Sequence, residues 1–402
     1  MSLLEHFDFL DPRVQKNPYP YFTELREKAP LFWMERLQAH ALSRYEDVSF
    51  ALKNPALFSS ANVTIAGRPR TLLNAESVVN LITSDPPIHT RLRGLVSRAF
   101  TPKHIAELEP RVRELSRGFV TEMTTQKEFD FMEGLASPLP VTIIAKMLGI
   151  DPARRRDFKR WSDLIITSGR ERLTTGREAE PVSQAREEMA AYMTQVAEAR
   201  RREPRGDLIS LVVQGGDGSV PLNPEEVNSF AVLLLIAGNE TTTNLLGNAL
   251  TTLIRHPDEY ARLRHDPTPA VCAAVCEETL RYDSPVLALP RRTTKEVEVS
   301  GGTLPANTTV MVILASANHD PRRFPDPERF DPRRDTQGLM SFGHGIHFCL
   351  GAPLTRLEAP VALQELMERT PHLGFAPRQP EQVDYGPSFI LRGPRSLWLT
   401  RN

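Results

Sequence analysis

The sequence predicts a mainly helical fold with small β-sheets, of the α+β class. Apolar residues recur at three- and four-residue spacing over several long stretches after His89, which is the period of an amphipathic helix. Short β-branched or alternating stretches lie near the N-terminus and after Pro285, as expected of strands. The 34 prolines are spread along all 402 residues, and this distribution indicates many separate elements rather than one disordered region.

The elements follow in chain order from these patterns. Two short strands are expected near the N-terminus, at 31–33 and 41–43. Helical spacing predicts helices over 104–125, 138–148, 153–168 and 181–202. Polar or glycine-rich composition predicts surface connections at 170–179 and 215–218. The later part of the chain is expected to contain strands at 297–299 and 309–313, a helix at 353–366, and short strands near 389–391 and 397–399.

The clearest predicted helix lies at the centre of the chain. Asn223 is a good N-cap, the following proline suits the first helical position, and Glu226 completes a capping box with Asn223. The apolar pattern continues to Arg255, and the next pair, His256-Pro257, ends it. At about 1.5 Å per residue the helix would be about 48 Å long, enough to cross the whole molecule.

Charge and composition exclude several classes of protein. The net charge is −1 and both signs are spread along the chain, whereas a nucleic-acid binder usually carries a concentrated basic excess. The longest apolar run, 231–237, is far shorter than the roughly 20 residues of a membrane helix. The N-terminus lacks a signal-peptide pattern, and three cysteines do not make a disulfide framework. We therefore expect a cytoplasmic protein that binds neither nucleic acid nor membrane.

The strongest functional signal is a glycine-rich segment around one cysteine. Residues 342–351 have the sequence FGHGIHFCLG and precede a predicted helix. Glycines allow unusual backbone angles and close approach to a flat ligand, and a cysteine at a helix N-terminus is favoured as a thiolate, which suits haem iron. Two alternatives stay open on the residues alone. Cys349 could be a buried structural cysteine, or it could form a zinc site with His344 and His347, although zinc usually takes four ligands.

This segment resembles the haem-binding loop of the cytochrome P450 family in its soluble bacterial form. Three other family motifs occur in the expected order, so the resemblance covers nearly the whole chain. It implies that haem b lies between the long central helix and the helix after the cysteine loop, with Cys349 as the axial ligand of the iron, Phe342 packed near it, and Gly351 in the cofactor-binding loop. The chain would be one haem domain, 1–402, with β-rich parts at about 1–60 and 285–315 and a helical body at about 85–283 and 350–370.

A second motif interrupts the apolar face of the long helix. The segment 237–243 has the sequence AGNETTT and follows the apolar run directly. Threonine hydroxyls can bond the carbonyl four residues back and bend a helix, which opens a gap for a small ligand; a polar face turned to solvent is the alternative. The resemblance implies an oxygen-activating groove in which Ala237 and Gly238 contact the haem. Glu240 and Thr241 would be the catalytic acid–threonine pair that delivers protons, with Glu in place of the commoner Asp.

Four basic side chains are candidates for binding the haem propionates. His89 and Arg93 lie four residues apart and therefore share one face of a predicted helix. The resemblance implies that this pair, together with Arg291 and His347, contacts the two propionates, to which Arg and His pairing is suited. A solvated basic helix is the alternative interpretation of the first pair.

A further motif has a structural role. Glu278 and Arg281 lie three residues apart on a predicted helix and can form an ion pair, although pairs at this spacing are usually exposed and contribute little to stability. The resemblance implies that these two residues, with Arg329, stabilise the core behind the cysteine loop.

Candidate substrate contacts also come from the resemblance. They include the loops 61–82 and 169–180. The individual candidates are mostly aliphatic and predict an apolar pocket: Leu233, Leu234, Ala237, Val286, Leu287, Leu289, Phe389 and Ile390. Apolar residues at these positions would also suit a plain core.

The function implied is that of a monomeric monooxygenase of secondary metabolism. It would insert one oxygen atom from O2 into an apolar small molecule, by hydroxylation or epoxidation, with electrons from separate ferredoxin and ferredoxin reductase partners. Arg91, Arg98 and Lys103 are candidates for a basic docking patch. Two alternatives of the same fold, a peroxide-driven hydroxylase and a nitric-oxide reductase, tend to lack the acid–threonine pair. A non-enzymatic haem sensor or carrier is the alternative from another class.

Overall fold

The computed structural model describes residues 2–61, 63, 81–154, 156–165, 180–215, 220–386, 388 and 390–401. Helices dominate these residues and the strands form small sheets, which confirms the predicted fold class. The helices are α1 (Pro12–Lys16), α2 (Tyr19–Lys28), α3 (Tyr45–Lys53), α4 (Ile88–Ser97), α5 (Pro102–Ala106), α6 (Glu109–Met123), α7 (Pro138–Met147), α8 (156–165), α9 (Glu180–Arg202), α10 (Leu208–Gln214), α11 (Pro224–Arg255), α12 (Pro257–His265), α13 (Pro269–Tyr282), α14 (Leu314–Ala317) and α15 (Ala352–Arg369). The strands are β1 (Leu31–Met34), β2 (Ala39–Leu42), β3 (Phe58–Ser59), β4 (Glu128–Asp130), β5 (Leu289–Thr293), β6 (Val297–Val299), β7 (Gly302–Leu304), β8 (Thr309–Val312), β9 (Leu373–Phe375) and β10 (Trp398–Arg401).

The central helix α11 begins and ends where the sequence predicts. The Asn223 side chain accepts the Glu226 backbone N–H at 2.9 Å, and the Glu226 carboxylate accepts the Asn223 N–H at 3.1 Å, so both halves of the capping box form. The helix continues for 32 residues, and His256 is its C-cap. Every residue over 242–253 is buried. The helix therefore passes through the interior of the molecule.

The largest sheet joins the N-terminal strands to strands that follow the central helix. Its strand order is β1-β2-β8-β5-β3. Strands β2 and β8 are parallel, and the other neighbours are antiparallel. Along β8, Met311 packs into one apolar cluster while Val310 and Val312 pack into another, because successive side chains of a strand point to opposite faces. Both faces of this sheet are therefore covered. Two smaller sheets have the orders β4-β10-β9 and β6-β7.

The helix after the cysteine loop is held among several other helices. Helix α15 packs against α6, α11, α12 and α13, and these helices share the largest apolar cluster. The cysteine loop is thus attached to a helix that lies in the interior of the helical body.

Two predicted elements differ from the structure. The predicted helix 104–125 is divided into α5 and α6, with Pro110 in the first turn of α6. A proline is tolerated there, whereas inside a continuous helix it would remove a hydrogen bond and clash with the preceding turn. The predicted strand 389–391 forms only an isolated bridge between Leu391 and Val286. Residues 166–179, 216–219 and Phe389 lie outside the described residues, and so do the predictions that fall on them.

Candidate active site

The cysteine loop folds into a tight turn that leads into α15. Gly343 and Gly345 have φ of 68° and 69°, in the left-handed region that favours glycine. A Cβ at Gly345 would overlap the carbonyl oxygen of Leu52, so this glycine also allows α3 to approach the loop. The Cys349 N–H donates to the Phe342 carbonyl oxygen at 2.9 Å and closes the turn.

The Cys349 thiol is surrounded by donors and positive charge. Burial is the largest effect on this thiol and raises its pKa above the ordinary value. The backbone N–H groups of Gly351 and Ala352, at the start of α15, and the guanidinium groups of Arg93 and Arg356 act in the opposite direction. Because a coordinating metal deprotonates a thiol outright, these four groups would stabilise the thiolate of a metal-bound cysteine.

The other two cysteines are ordinary core residues. Burial raises the pKa of Cys272 to about 12 and that of Cys276 well above its usual value. Both pack in the largest apolar cluster, as expected of cysteines that act as small apolar side chains.

The four basic side chains implied by the family resemblance meet beside the cysteine loop. His89 on α4 is 3% exposed, and its ring centroid lies 4.3 Å from that of His347. Burial lowers the pKa of His347 to about 3, and the charges of Arg291 and His89 lower it further. Burial also lowers the pKa of Arg291 to about 10. The Arg93 charge interacts with both His89 and Cys349.

These side chains fit the carboxylates of a haem. The Nε2 atoms of His89 and His347 are buried and have no hydrogen-bond partner among the described residues. Arg291 is buried on β5 and donates to the Pro290 carbonyl oxygen at 2.8 Å. Unpaired buried cations and imidazole nitrogens are costly, and two propionates would supply the missing acceptors. The residues present therefore fit the cofactor that the resemblance implies.

The polar segment of α11 forms the predicted side-chain bond. The Thr241 hydroxyl donates to the Ala237 carbonyl oxygen four residues back, at 2.7 Å. Both residues are partly exposed and border open space along one side of the helix, whereas Glu240 is buried. Gly238 packs against α7, because a Cβ there would lie 2.8 Å from Ile144 Cδ1. Close packing of α7 on α11 is therefore a sufficient reason for this glycine.

The predicted substrate contacts fall into separate parts of the core. Leu233, Leu234 and Ala237 lie on α11 within or against the largest cluster. Leu287 is buried in the cluster of N-terminal aromatic residues, and Ile390 packs against the same cluster, which is the environment of core residues. Val286 and Leu289 pack against the third cluster. Phe389 and most of the loops 61–82 and 169–180 lie outside the described residues.

The predicted structural pair is completely buried. Glu278 and Arg281 have 0% exposed side chains and share two hydrogen bonds of 2.9 Å. Arg281 also donates to the backbone carbonyl oxygens of Asn318, Pro327 and Arg329. The pair therefore joins α13 to the chain segment that precedes the cysteine loop.

The expectation for the Arg329 side chain needs correction. That side chain is largely exposed and pairs with Asp331 at 3.6 Å, so Arg329 joins the buried cluster through its carbonyl oxygen alone. The guanidinium that reaches Glu278 belongs to Arg334, whose Nε lies 3.4 Å from the carboxylate. The spacing in the sequence does not distinguish the two arginines.

The docking-patch expectation is also changed at Arg91. This side chain forms an ion pair with Glu226 in the first turn of α11. The contact attaches α4 to the start of α11 and neutralises the Arg91 charge, so this residue contributes little to a field that attracts a partner.

The sequence gave no warning of Arg356, which lies close to the cysteine loop. Its guanidinium carbon lies 4.6 Å from the centroid of the Phe342 ring. A signal was available in its position: Arg356 follows Cys349 by seven residues, or about two helical turns, and helical side chains tilt toward the N-terminus.

Membrane helices and self-contained metal clusters were sought among the described residues. No helix there combines the length and the apolar character needed to cross a membrane. No group of three or more His, Cys, Asp or Glu side chains in the described ranges could hold a metal ion. His344, His347 and Cys349 therefore do not form the zinc site that the sequence left open.

Known proteins are similar to this chain in sequence and in fold. Residues 172–397 match the family described as Cytochrome P450. Cytochrome P450 monooxygenase PikC from Streptomyces venezuelae is 39% identical over 389 residues, which cover 95% of this chain and 90% of PikC. The structure of cytochrome P450 CYP109Q5 from Chondromyces apiculatus has a TM-score of 0.88 and 40% identity and covers 98% of each chain. CYP109E1 from Bacillus megaterium, solved with corticosterone, has a TM-score of 0.86 and 35% identity over 97% of this chain and 100% of its own. This chain therefore belongs to the bacterial cytochrome P450 family of monooxygenases, which use haem iron and O2.

Proposed function

We propose that this protein inserts one oxygen atom from O2 into an apolar small molecule, with electrons supplied by a ferredoxin-type protein and its reductase. The observation that carries the proposal is a set of buried His and Arg side chains without a paired anion, beside a cysteine that faces two backbone N–H groups. Haem b would meet both needs, because its propionates can pair with the basic groups and its iron can bind the sulfur.

Each residue of the cofactor site has a proposed role. Cys349 provides the axial thiolate. Propionate binding is assigned to His89, Arg93, Arg291 and His347. Contact with the flat faces is assigned to Phe342 and Gly351 on the cysteine side and to Ala237 and Gly238 on α11. When bound, the haem supplies the iron at which O2 is activated, and an axial thiolate favours cleavage of the O–O bond.

Glu240 and Thr241 are proposed to hold and move protons. The bond from the Thr241 hydroxyl to the Ala237 carbonyl fixes the position of Oγ1 on the partly exposed side of α11. The lone pairs of that oxygen remain available to accept a proton. Transfer from the neighbouring Glu240 carboxyl to Thr241 Oγ1, and from there to a ligand in the groove, is general acid catalysis by positioned groups.

The proposed substrate is an apolar molecule with few polar groups. Aliphatic side chains at Leu234, Ala237, Val286 and Leu289 are only partly buried and favour such a ligand. The corticosterone complex of CYP109E1 makes steroids the first class to test. Terpenoids, fatty acids and polyketide-type molecules complete the panel, and a spectral shift on addition of each compound identifies those that bind next to the haem.

The protein is proposed to act in the cytoplasm as a monomer. All three cysteines are free, which suits a reducing compartment. Light scattering of the purified protein should give a mass near 45.2 kDa, and twice that mass would contradict the monomer.

The axial ligand is tested by replacing one sulfur atom with oxygen. The reduced wild-type protein should give the carbon-monoxide difference spectrum of a thiolate-bound haem and should turn over substrate with ferredoxin and ferredoxin reductase. Cys349→Ser should lose the spectrum and the turnover, because a hydroxyl is not a comparable ligand. Cys276→Ser is the matched control and should keep both. A Cys349→Ser variant with the wild-type spectrum and turnover would show that the ligand is assigned wrongly.

The peroxide-driven alternative is separated by the source of oxidising equivalents. Turnover is measured with redox partners and O2 and, in parallel, with hydrogen peroxide alone. The proposal expects the first reaction to be faster, since Glu240 and Thr241 provide the proton path that O2 activation needs. Efficient turnover with peroxide and none with redox partners would replace the proposal with the alternative.

A further inference from the structure

A charged pair lies on the cysteine side of the candidate site. Arg356 on α15 donates to both carboxylate oxygens of Glu277 on α13, from Nε at 2.7 Å and from Nη2 at 3.0 Å. Two parallel bonds of this kind fix the plane of a guanidinium group as well as its position. The pair therefore holds Arg356 in one orientation between two helices.

The orientation places the guanidinium against a residue of the cysteine loop. Its central carbon lies 4.6 Å from the centroid of the Phe342 ring, within the range of a cation–π contact. Phe342 is buried, and its carbonyl oxygen accepts the Cys349 N–H at 2.9 Å. Arg356 is thus packed on the residue that fixes the backbone of the cysteine.

The Arg356 charge also acts on the sulfur. The charges of Arg356 and Cys349 interact directly, and this interaction stabilises the thiolate. The side chain of Arg356 is 44% exposed and that of Glu277 is 23% exposed. Solvent therefore weakens the field at the sulfur but does not remove it.

We propose that Arg356 is a positioning residue that raises the reduction potential of the haem bound through Cys349, and that Glu277 limits this effect by pairing with the guanidinium. The inference rests on the proposed function, because it requires a haem-thiolate at Cys349. A positive charge near the thiolate withdraws electron density from the axial ligand and favours the state that carries one more electron. A negative charge at Glu277 opposes it.

The two charges predict opposite effects on one measured quantity. The potential of the purified haem protein is measured by reductive titration with dithionite and mediator dyes. Arg356→Gln should shift the equilibrium toward the oxidised state by about threefold, or about 28 mV at 59 mV per tenfold change. Glu277→Gln should shift it toward the reduced state by a similar factor. Arg356→Lys keeps the charge but loses the two-point bond, so it should lie between the wild type and Arg356→Gln.

The same helix offers a matched control. Arg369 on α15 pairs with Glu365 at 2.6 Å and is 35% exposed, so it resembles Arg356 in chemistry and exposure. It lies 13 residues further along the helix, about 20 Å away. Arg369→Gln should leave the potential unchanged.

Three results would overturn the inference. If Arg356→Gln and Glu277→Gln leave the potential unchanged and alter only KM for the electron donor, the pair is a docking contact. If both variants shift the potential in the same direction, or if Arg369→Gln shifts it equally, the effect is structural. Should Arg356→Gln fail to retain haem, the sign of the shift in Glu277→Gln decides alone. A wild-type protein without the thiolate-type carbon-monoxide spectrum would instead reject the proposed function, before any variant is compared.

Discussion

The hydroxyl of Thr241 has a partner in its own helix and faces a groove at the same time. Its bond to the Ala237 carbonyl satisfies a backbone acceptor that already serves the helix, so the bond adds little to helix stability. The neighbouring Thr242 turns to the other side of α11, where its Oγ1 lies 3.4 Å from that of Thr355 on α15. Adjacent threonines of one helix thus have different surroundings and provide a test with its own control.

Thr241→Ala should separate electron consumption from product formation. Without the positioned hydroxyl the proton path from Glu240 is interrupted, and loss of one such group typically costs a factor of about 10² or more. Product formed per electron consumed should therefore fall at least about tenfold, while substrate binding stays close to wild type. The measurement compares product with reductant consumed in the same reaction.

Thr242→Ala is the control for that variant. It removes the same atoms from the next residue and should keep product formation within about twofold of wild type, because its hydroxyl faces α15 rather than the groove. Equal losses in both variants would mean that Thr241 acts through the packing of α11 and not through its hydroxyl.

At the scale of elements, the buried pair on α13 has a larger effect than its spacing alone suggests. Pairs three residues apart are usually exposed, but the pair Glu278 and Arg281 has no exposed surface. Glu278 also accepts the Asp331 backbone N–H at 2.9 Å. The carboxylate therefore connects a helix to the chain that leads into the cysteine loop.

Glu278→Gln should destabilise the folded protein strongly. The amide keeps the shape of the side chain but leaves the Arg281 cation buried without a counter-charge, which costs about 3–5 kcal/mol when one partner of a buried pair is removed. The free energy of unfolding is measured with a chemical denaturant. Glu114→Gln is the control, because Glu114 pairs with Arg111 at the same spacing on the surface of α6. If both variants unfold at the wild-type denaturant concentration, the pair is not the link described above.

The elements differ in how far local sequence determines them. The boundaries of α11 follow from Asn223, Glu226 and Pro257, which act on their immediate neighbours, and these boundaries were predictable. The same holds for the cysteine loop, whose glycines are required by its own backbone angles. The choice of Arg334 over Arg329 was not predictable, since it depends on how a segment more than 50 residues away in sequence folds back on Glu278.

Site residues show the same division. The grouping of His89 with His347 came from a family resemblance, and the structure places their rings in contact. Nothing in the pattern around Leu287 separates a pocket residue from a core residue, because both are aliphatic. Its place in the N-terminal cluster depends on the pairing of distant strands.

For the whole molecule, α15 determines how stability depends on pH, because it carries two buried carboxyl groups in opposite surroundings. Burial raises the pKa of Glu358 from 4.5 to about 8, and its Oε1 has no hydrogen-bond partner among the described residues. Burial also acts on Glu365, but hydrogen bonds from Arg369, Arg117 and Arg113 outweigh it and lower the pKa of that carboxyl. The first group is neutral in the folded protein at neutral pH, and the second is ionised.

The two groups predict opposite pH dependence of unfolding. The folded protein holds the Glu358 proton up to about pH 8, whereas the unfolded chain loses it near pH 4.5. Rising pH therefore favours the unfolded state between these values, by at most about 1.4 kcal/mol per pH unit. The Glu365 contribution has the other sign: it is present above the unfolded pKa and is lost as pH falls through the lowered folded value.

Glu358→Gln should therefore make the protein more stable at the alkaline end of the range and flatten the dependence of its stability on pH. The amide stays neutral in both states, so the proton no longer distinguishes them. Denaturant unfolding is measured from about pH 5 to about pH 8 for the wild type, Glu358→Gln and Glu365→Gln. Glu365→Gln should lose stability at neutral pH, because its three arginine partners lose their anion, and should keep the wild-type decline toward alkaline pH. If Glu358→Gln retains that decline unchanged, its carboxyl is already ionised in the folded protein and α15 accommodates a buried charge there.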